Sequence, residues 1–251
     1  MKETQLHARV GNDLNPPPPI LPQRPSLQHS SESNERKGLC QSAMIKIVTV
    51  EREYGCGGGE IAQRLAEHLG WKLWDHRLTE EIARLANCPQ TVVEQREERR
   101  DPLYYRLFKS FLRGSYEGSI NAHKLNLVDS ENIMKLTKLV VEHAASKGNC
   151  VIVGRGSQLF LKDRADTFRV FLYAPRDNKV QRVMARGKSV NGAQELVDTV
   201  DHERAGFIEK YFHVQWPDRA VYHAMLNTAS GDETVVQMIL NFIKTFDSTL
   251  T

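Results

Sequence analysis

Two adjoining segments decide the fold of this chain: the run Ile45-Lys46-Ile47-Val48-Thr49-Val50 and the run Glu51-Arg52-Glu53-Tyr54-Gly55-Cys56-Gly57-Gly58-Gly59-Glu60. The first is rich in β-branched residues and predicts a buried strand. The second contains four glycines within five residues and leads into residues 60–69, whose apolar positions fall on one helical face. These segments predict a strand, a glycine-rich loop and a helix in direct succession.

The glycine-rich loop is the feature with the clearest chemical meaning. Glycine at this density is destabilising unless the backbone needs special angles or approaches another group closely. The helix that follows presents free N–H groups and the positive end of its dipole, which together form an anion site. We therefore interpret the loop as a phosphate cradle rather than as a merely tight turn between a strand and a helix.

Two kinds of phosphate cradle fit the loop. The pattern Gly57-x-Gly59-x-x-Ala62, with Asp75 at the end of a predicted second strand, is close to the fingerprint of nicotinamide-binding proteins. A standard P-loop ends in a lysine followed by Ser or Thr, whereas this loop has Gly58 and Glu60 there. The spacing within the loop leaves both interpretations open.

The rest of the folded part alternates strands with helices. Further strands are predicted at 71–74, 150–153, 168–173 and 224–228, and helices at 78–87, 91–113, 130–147, 176–187, 193–212 and 232–246. Such alternation predicts an α/β fold in three layers, with helices on both faces of a five-stranded parallel sheet. 

Residues 1–43 have a different composition from the rest of the chain. They contain the consecutive prolines Pro16–Pro19 and are otherwise rich in Ser, Asn, Gln and charged residues. A segment of this kind cannot bury enough apolar surface to form a core, so we expect a disordered tail with a polyproline II stretch. One domain is then expected over residues 44–251, and Met44 is an alternative start of translation.

The overall composition excludes several function classes. The chain is 40% hydrophobic and 26% charged with a formal net charge of +3, which gives no reason to expect a nucleic-acid or membrane partner. No apolar stretch approaches the roughly 20 residues that cross a bilayer. The four cysteines lack metal-type spacing. We expect a cytoplasmic protein with reduced thiols, and the oligomeric state stays open.

Five motifs, in order along residues 45–245, resemble the cytidylate-kinase-like family. The loop Val50-Glu51-Arg52-Glu53-Tyr54-Gly55-Cys56-Gly57-Gly58 is similar to that family's REYGSGG loop, and Trp71-Lys72-Leu73-Trp74-Asp75-His76-Arg77-Leu78 to its YDREL segment. The strand end Val151-Ile152-Val153-Gly154-Arg155-Gly156 matches its VIVGRG sequence. Asp201-His202-Glu203-Arg204-Ala205 resembles its DxxRA motif, and Leu226-Asn227-Thr228 its last strand.

This resemblance implies a nucleoside-monophosphate-kinase fold that moves a phosphoryl group from ATP to CMP or dCMP, with Mg²⁺. By position, the ATP phosphates would be held by Gly55, Cys56, Gly57, Gly58, Gly59 and Glu60. The small-molecule acceptor would be bound by Asp75, Arg77, Arg155, Asp201 and Arg204. Residues 176–212 would form a mobile helical lid.

Arginines are the expected catalytic groups, because phosphoryl transfer needs positioning and positive charge more than covalent chemistry. Lys179, Arg182 and Arg186 share one face of a predicted helix, and arginine suits bidentate phosphate contacts. Since the P-loop lysine is absent, Arg52 or the lid residues Arg182 and Arg186 must supply its charge. Glu60 is the candidate metal ligand, in place of the usual hydroxyl.

Two other functions and one reactive side chain remain to be considered. The missing lysine favours a nucleotide-binding or sensor module without catalysis, and the loop fingerprint favours a nicotinamide-dependent oxidoreductase. Cys56 precedes a helix N-terminus, which lowers a thiol pKa and favours oxidation. The alternative for Cys56 is a small residue that fills a tight loop.

Overall fold

The computed structural model describes residues 44–86 and 130–248. The predicted helix at 91–113 and the predicted tail at 1–43 lie outside these ranges. The strands are β1 (Ile47–Arg52), β2 (Lys72–Trp74), β3 (Cys150–Val153), β4 (Thr167–Tyr173) and β5 (Ala224–Asn227). The helices are α1 (Gly58–Leu69), α2 (His76–Ala86), α3 (Ser130–Ser146), α4 (Ser157–Phe160), α5 (Arg176–Ala185), α6 (Val190–Phe212) and α7 (Asp232–Ser248). Short 3₁₀ turns occupy Arg219–Val221 and Thr228–Ser230.

All five strands form one parallel sheet in the order β2-β3-β1-β4-β5. The central strand β1 is buried along its whole length, as parallel strands covered on both faces require. Val50 in β1 pairs with Val153 on one side and with Val170 on the other, so the carboxyl ends of the central strands meet at one edge. Ligands of α/β sheets bind at this edge.

Helices cover both faces of the sheet. On one face, Ile61 of α1 and Ile239 of α7 pack against Val48 of β1 in a single apolar cluster. On the opposite face, a second cluster joins Ile47 of β1 to residues of α2, α3 and α6, which are Leu78, Ile82, Val140, Val141, Ala144, Phe207 and Ile208. The predicted three-layer α/β fold with a five-stranded parallel sheet is therefore confirmed.

Helices α5 and α6 form the helical pair predicted between residues 176 and 212. Val180 and Val183 of α5 pack against Ala193 and Val197 of α6, and Tyr54 from the glycine-rich loop joins this cluster. Helix α6 begins earlier than predicted, because the Ser189 hydroxyl accepts a hydrogen bond from the Gly192 N–H and caps its first turn. The mobility of this pair remains a prediction.

The first strand ends later than predicted. Its ladder with β4 continues through Glu51, opposite Phe171, and Arg52, opposite Leu172. The Arg52 guanidinium lies 3.4 Å from Glu51 Oε1, and both side chains are buried. Ion pairing makes burial of these charges possible, which is why two polar residues extend a central strand. Arg52 thus belongs to the rigid sheet and not to the loop.

None of the helices within 44–86 and 130–248 is long and apolar enough to cross a bilayer.

Candidate functional site

The glycine-rich loop forms one wall of a cavity of about 270 Å³, measured with its open mouth, at the carboxyl edge of the sheet. Its lining residues are Arg52, Glu53, Tyr54, Gly55, Gly57, Gly58, Gly59, Glu60, Arg186 and Arg204. Helix α1 begins inside this cavity, so its first N–H groups and its positive dipole end face the space. The predicted cradle residues are brought together, and the arrangement suits an anion.

The loop glycines also make room for the protein's own arginines. Gly57 has a left-handed backbone with φ of 85°, and a Cβ there would collide with the Arg182 guanidinium. A Cβ at Gly58 would lie 2.7 Å from Cβ of Arg52. Larger residues at these positions would displace charged side chains even without a bound ligand. This packing explains part of the high glycine content of the loop.

A second, shallow cavity, of about 240 Å³ when its open mouth is included, shares lining residues with the first at the sheet edge. It is lined by Glu51, Arg52, Arg155, Gly156, Arg204, Ile208 and Trp216. Arg52 and Arg204 line both cavities, so their side chains stand at the boundary between the two. Arg52, Arg155 and Arg204 are all buried, with relative exposures of 4%, 2% and 6%.

Each buried arginine has an acidic neighbour, as burial of charge demands. Arg155 Nη1 lies 3.4 Å from Asp75 Oδ1, and Arg204 Nη1 donates to Asp201 Oδ1 at 3.1 Å. Burial lowers the pKa of Arg155 to about 10; Asp75 opposes this shift, whereas Arg52 and Arg204 add to it. The guanidinium still carries its charge at neutral pH. All three arginines line the second cavity, so their charges lie close together.

The turn after β3 directs Arg155 toward this cluster. Gly154, Arg155 and Gly156 have φ values of 64°, 58° and 65°, so three consecutive residues are left-handed. That conformation is strained for a residue with a side chain, such as Arg155. Backbone strain of this kind occurs mostly at functional sites. A Cβ at Gly156 would meet the Phe212 ring at 2.6 Å, so the turn also packs tightly under the end of α6.

Asp201 has a positioning role in this structure. Its Oδ1 accepts hydrogen bonds from the Tyr54 N–H at 2.7 Å and from Arg204, and its Oδ2 lies 3.5 Å from Lys179 Nζ. Burial raises the pKa of Asp201, while Arg204 and the Tyr54 hydrogen bond counteract it. Asp201 lines neither cavity, so it ties the loop, α5 and α6 together.

The cationic side chains of α5 pair with acids around the first cavity. Lys179 donates to Glu53 at 2.9 Å, and Arg186 donates to Glu60. Arg182 makes two hydrogen bonds to Asp232, at 3.3 and 2.6 Å, so its guanidinium lies across Gly57 and does not line the cavity. Of the predicted lid arginines, only Arg186 thus reaches the cavity directly.

Glu60 is the side chain most suited to hold Mg²⁺ here. One carboxylate oxygen binds Arg186, and the other, Oε2, is buried with no hydrogen-bond partner in the described part of the chain. No group of three His, Cys, Asp or Glu side chains within the described ranges is arranged to hold a metal. Mg²⁺ commonly uses one or two carboxylates together with substrate phosphates and water, so Glu60 fits such a site.

Two predicted residues do not join the site. Arg77 is exposed on α2 and lines neither cavity. Cys56 is fully buried, and its thiol donates to the Leu172 carbonyl at 3.6 Å. Burial raises the pKa of Cys56 to about 12, so the expectation of a low thiol pKa is wrong and the residue fills a tight loop. Desolvation outweighs the nearby helix end here.

We expect this burial to make Cys56 unreactive in the native state. Among the described residues Cys150 is also buried, with its pKa raised to about 11 by desolvation. A variant with Cys40 and Cys88 changed to Ser should therefore react with a thiol reagent at pH 8 at least a hundredfold more slowly when native than in denaturant, because the thiolate is the nucleophile. Native labelling as fast as denatured labelling would contradict this result.

Several site residues were not predicted as such. Three of them are acids that pair with cations of the site: Glu51 with Arg52, Glu53 with Lys179 and Asp232 with Arg182. The fourth is Trp216, which lines the second cavity. Glu51 lies near the carboxyl end of β1 and Glu53 follows the strand directly, and this position is the only local signal for them. Nothing near Trp216 in the sequence indicates a cavity.

The fold and the site together define a P-loop-type kinase architecture. The sequence matches the model of the cytidylate kinase-like family over residues 47–230, and this chain belongs to that family. Family membership supports a nucleotide-kinase type of function. No protein with a curated description matches the sequence.

Several solved structures are similar to this chain at low sequence identity. An uncharacterized protein from Eubacterium ventriosum ATCC 27560 is similar with a TM-score of 0.57 and 23% identity, over 80% of this chain and 99% of that one. Shikimate kinase from Bacteroides thetaiotaomicron is similar with a TM-score of 0.45 and 16% sequence identity, over 80% of this chain and 99% of that one. A gluconokinase from Sinorhizobium meliloti 1021 is similar with a TM-score of 0.46 and 12% sequence identity, over 83% of this chain and 97% of that one.

Proposed function

We propose that this protein transfers the γ-phosphoryl group of ATP to a pyrimidine nucleoside monophosphate, CMP or dCMP. The observation that carries the proposal is the pair of adjoining cavities at the sheet edge, which share Arg52 and Arg204 as common lining residues. A donor and an acceptor bound in these cavities would meet beside two buried guanidinium groups. The pyrimidine preference is inferred from family membership.

The reaction itself is a single displacement. An oxygen of the acceptor phosphate forms a bond to the γ-phosphorus of ATP, the bond between that phosphorus and the β–γ bridging oxygen breaks, and ADP and CDP result. Charge spreads over the oxygens of the transferring group in the transition state. Arg52 and Arg204 would stabilise that charge from positions set before the ligands bind.

The first cavity is suited to the triphosphate. The N–H groups of the loop and of the first turn of α1 converge there, and Arg186 adds a cationic side chain. Mg²⁺, held by Glu60 and the phosphates, would neutralise charge on the β- and γ-phosphates. Arg52 supplies, from the strand before the loop, the positive charge that a P-loop lysine would supply.

The second cavity is suited to the acceptor monophosphate. Arg155 and Arg204 present buried cations there, and Asp75 holds Arg155 in place without lining the space. Buried guanidinium groups bind phosphate more strongly than exposed ones, because water competes less. Arg77, which is exposed outside both cavities, has no part in this proposal.

The acids around α5 suggest how the lid would respond to ATP. Glu53, Glu60 and Asp232 currently pair with Lys179, Arg186 and Arg182. A phosphate group in the first cavity would compete with Glu60 for Arg186. The helical pair would then shift onto the nucleotide, and the reaction would be kept from water.

A non-catalytic nucleotide sensor is the second candidate. It is favoured by the absence of the P-loop lysine and by the acidic partner of every buried arginine in the site. The sheet order counts against the nicotinamide-dependent oxidoreductase, because β3 lies between β1 and β2, whereas β2 follows β1 directly in the dinucleotide-binding order. Asp75 is moreover buried against Arg155.

An acceptor panel tests the proposed function. With ATP and Mg²⁺, we expect ADP formation to depend on an added monophosphate, with kcat/KM for CMP or dCMP at least tenfold above that for AMP, GMP and UMP. The hydrolysis of ATP without acceptor provides the background rate. Tight ATP binding without acceptor-dependent turnover would support the sensor instead. A cytoplasmic location, where these nucleotides are available, is part of the proposal.

A further inference from the structure

Trp216 holds an unused hydrogen-bond donor at the second cavity. Trp216 lines the space together with Arg155 and Arg204. The Nε1 atom is buried and has no hydrogen-bond partner among residues 44–86 and 130–248. A buried N–H without an acceptor is destabilising, so an unmatched one at a cavity points to a ligand that supplies the acceptor.

The ring is fixed in place by its neighbours. Phe171 of β4 packs edge-on against it, with ring centroids 5.5 Å apart and an interplanar angle of 74°. Phe171 is itself 1% exposed and also contacts the Tyr222 ring at 5.1 Å. A donor on such a rigid ring keeps its direction before the ligand arrives, which lowers the entropic cost of binding.

The neighbouring groups define the chemistry of the missing acceptor. Arg52, Arg155 and Arg204 are buried guanidinium groups on the same cavity and outnumber its one carboxylate, Glu51, so the lining favours a ligand with negative charge. A phosphoryl group is a tetrahedral oxyanion whose acceptor oxygens point in different directions, so it can serve three guanidinium groups and one N–H together. A planar carboxylate has two oxygens and serves fewer donors.

We propose that Trp216 is an acceptor-binding residue whose indole N–H donates to a phosphoryl oxygen of the monophosphate in the second cavity. This proposal rests on the proposed function for the identity of the acceptor, but the anion contact itself does not depend on transfer. It adds a neutral donor, from the segment between α6 and β5, to the arginines of the site.

The N–H can be observed directly. The chain has three tryptophans, so ¹⁵N-labelled protein gives three indole resonances, which Trp71→Phe and Trp216→Phe assign. With ADP and Mg²⁺ at saturation to occupy the first cavity, inorganic phosphate or CMP should shift the Trp216 indole resonance downfield and leave that of Trp71 unchanged. An unmoved Trp216 resonance at saturating phosphate and CMP overturns the proposal, and this readout needs no variant beyond the assignment.

A substitution gives the size of the effect. Trp216→Phe keeps an aromatic ring against Phe171 and deletes the donor, so Kd for phosphate and KM for CMP should both rise about tenfold, with KM for ATP unchanged. Trp71→Phe, distant from both cavities, is the matched control. If Trp216→Phe raises the melting temperature and leaves phosphate and CMP binding unaltered, the N–H is only a structural defect and the proposal is wrong.

The two proposals fail separately. Transfer to CMP with no effect of Trp216→Phe on phosphate or CMP would overturn the Trp216 contact and leave the kinase intact. Binding of phosphate and CMP that depends on Trp216, without any transfer, would overturn the kinase and support the contact. A Trp216→Phe effect on CMP but not on phosphate would place the contact on the sugar or base and would contradict the proposal.

Discussion

Replacement of Arg52 by Met is expected to reduce kcat for phosphoryl transfer by about a thousandfold, the largest effect of any single change in this protein. Arg52 lines both cavities, is 4% exposed and takes the charge role of the absent P-loop lysine. Loss of a preorganised charge aimed at the transferring group costs about 10²–10³ in kcat in comparable sites. The rate would be measured by single turnover with ATP and CMP at saturation.

Two controls separate this effect from damage to the strand. Glu51 loses its partner in Arg52→Met, so the pair Glu51→Gln/Arg52→Met should recover stability but not activity. Arg52→Lys keeps the charge without the planar fork and should retain more activity than Met. Equal activity of Arg52→Met and the parent, with both proteins folded, would show that Arg52 is not a catalytic residue.

Replacement of Arg155 by Met is expected to raise KM for CMP at least a hundredfold and to destabilise the protein by about 3–5 kcal/mol. The side chains of Arg155 and Asp75 are 0% and 6% exposed, so the change leaves a buried carboxylate without its partner. A loss of this size lowers the melting temperature by roughly 10 °C in a domain of this length. Affinity for ATP should stay the same, since the first cavity does not include Arg155.

The double variant Asp75→Asn/Arg155→Met distinguishes binding from stability. It removes both charges and should regain most of the lost melting temperature, whereas KM for CMP should stay raised. If CMP binding recovers together with stability, Arg155 is a structural residue and the acceptor is held elsewhere. Asp75→Asn alone should affect KM less than Arg155→Met, because Asp75 does not line the cavity.

The positions of the strands along the chain were largely predictable from the sequence. The run Cys150–Val153 is apolar, with β-branched residues at its last three positions, and the third strand matches its prediction at both ends. The end of β1 was predicted two residues early because Glu51 and Arg52 are charged. Only tertiary structure shows that they neutralise each other inside the sheet.

The site residues that belong to local sequence patterns were predictable, and those placed only by tertiary packing were not. The glycines of the loop and the glycine-flanked Arg155 are visible in the sequence, because their backbone angles demand special residues. Trp216 has no such pattern, since its place depends on contact with Phe171 more than forty residues earlier. The burial of Cys56 likewise follows from the sheet and helices around it and from no local signal.

The central claim is that a phosphoryl group passes from one cavity to the other beside Arg52 and Arg204. The most direct measurement is a single turnover of γ-³²P-labelled ATP with excess protein, Mg²⁺ and CMP. The label should appear in CDP at a rate that Arg52→Met lowers about a thousandfold. Label that stays in ATP, or that appears only as inorganic phosphate at a rate independent of CMP, would contradict the account.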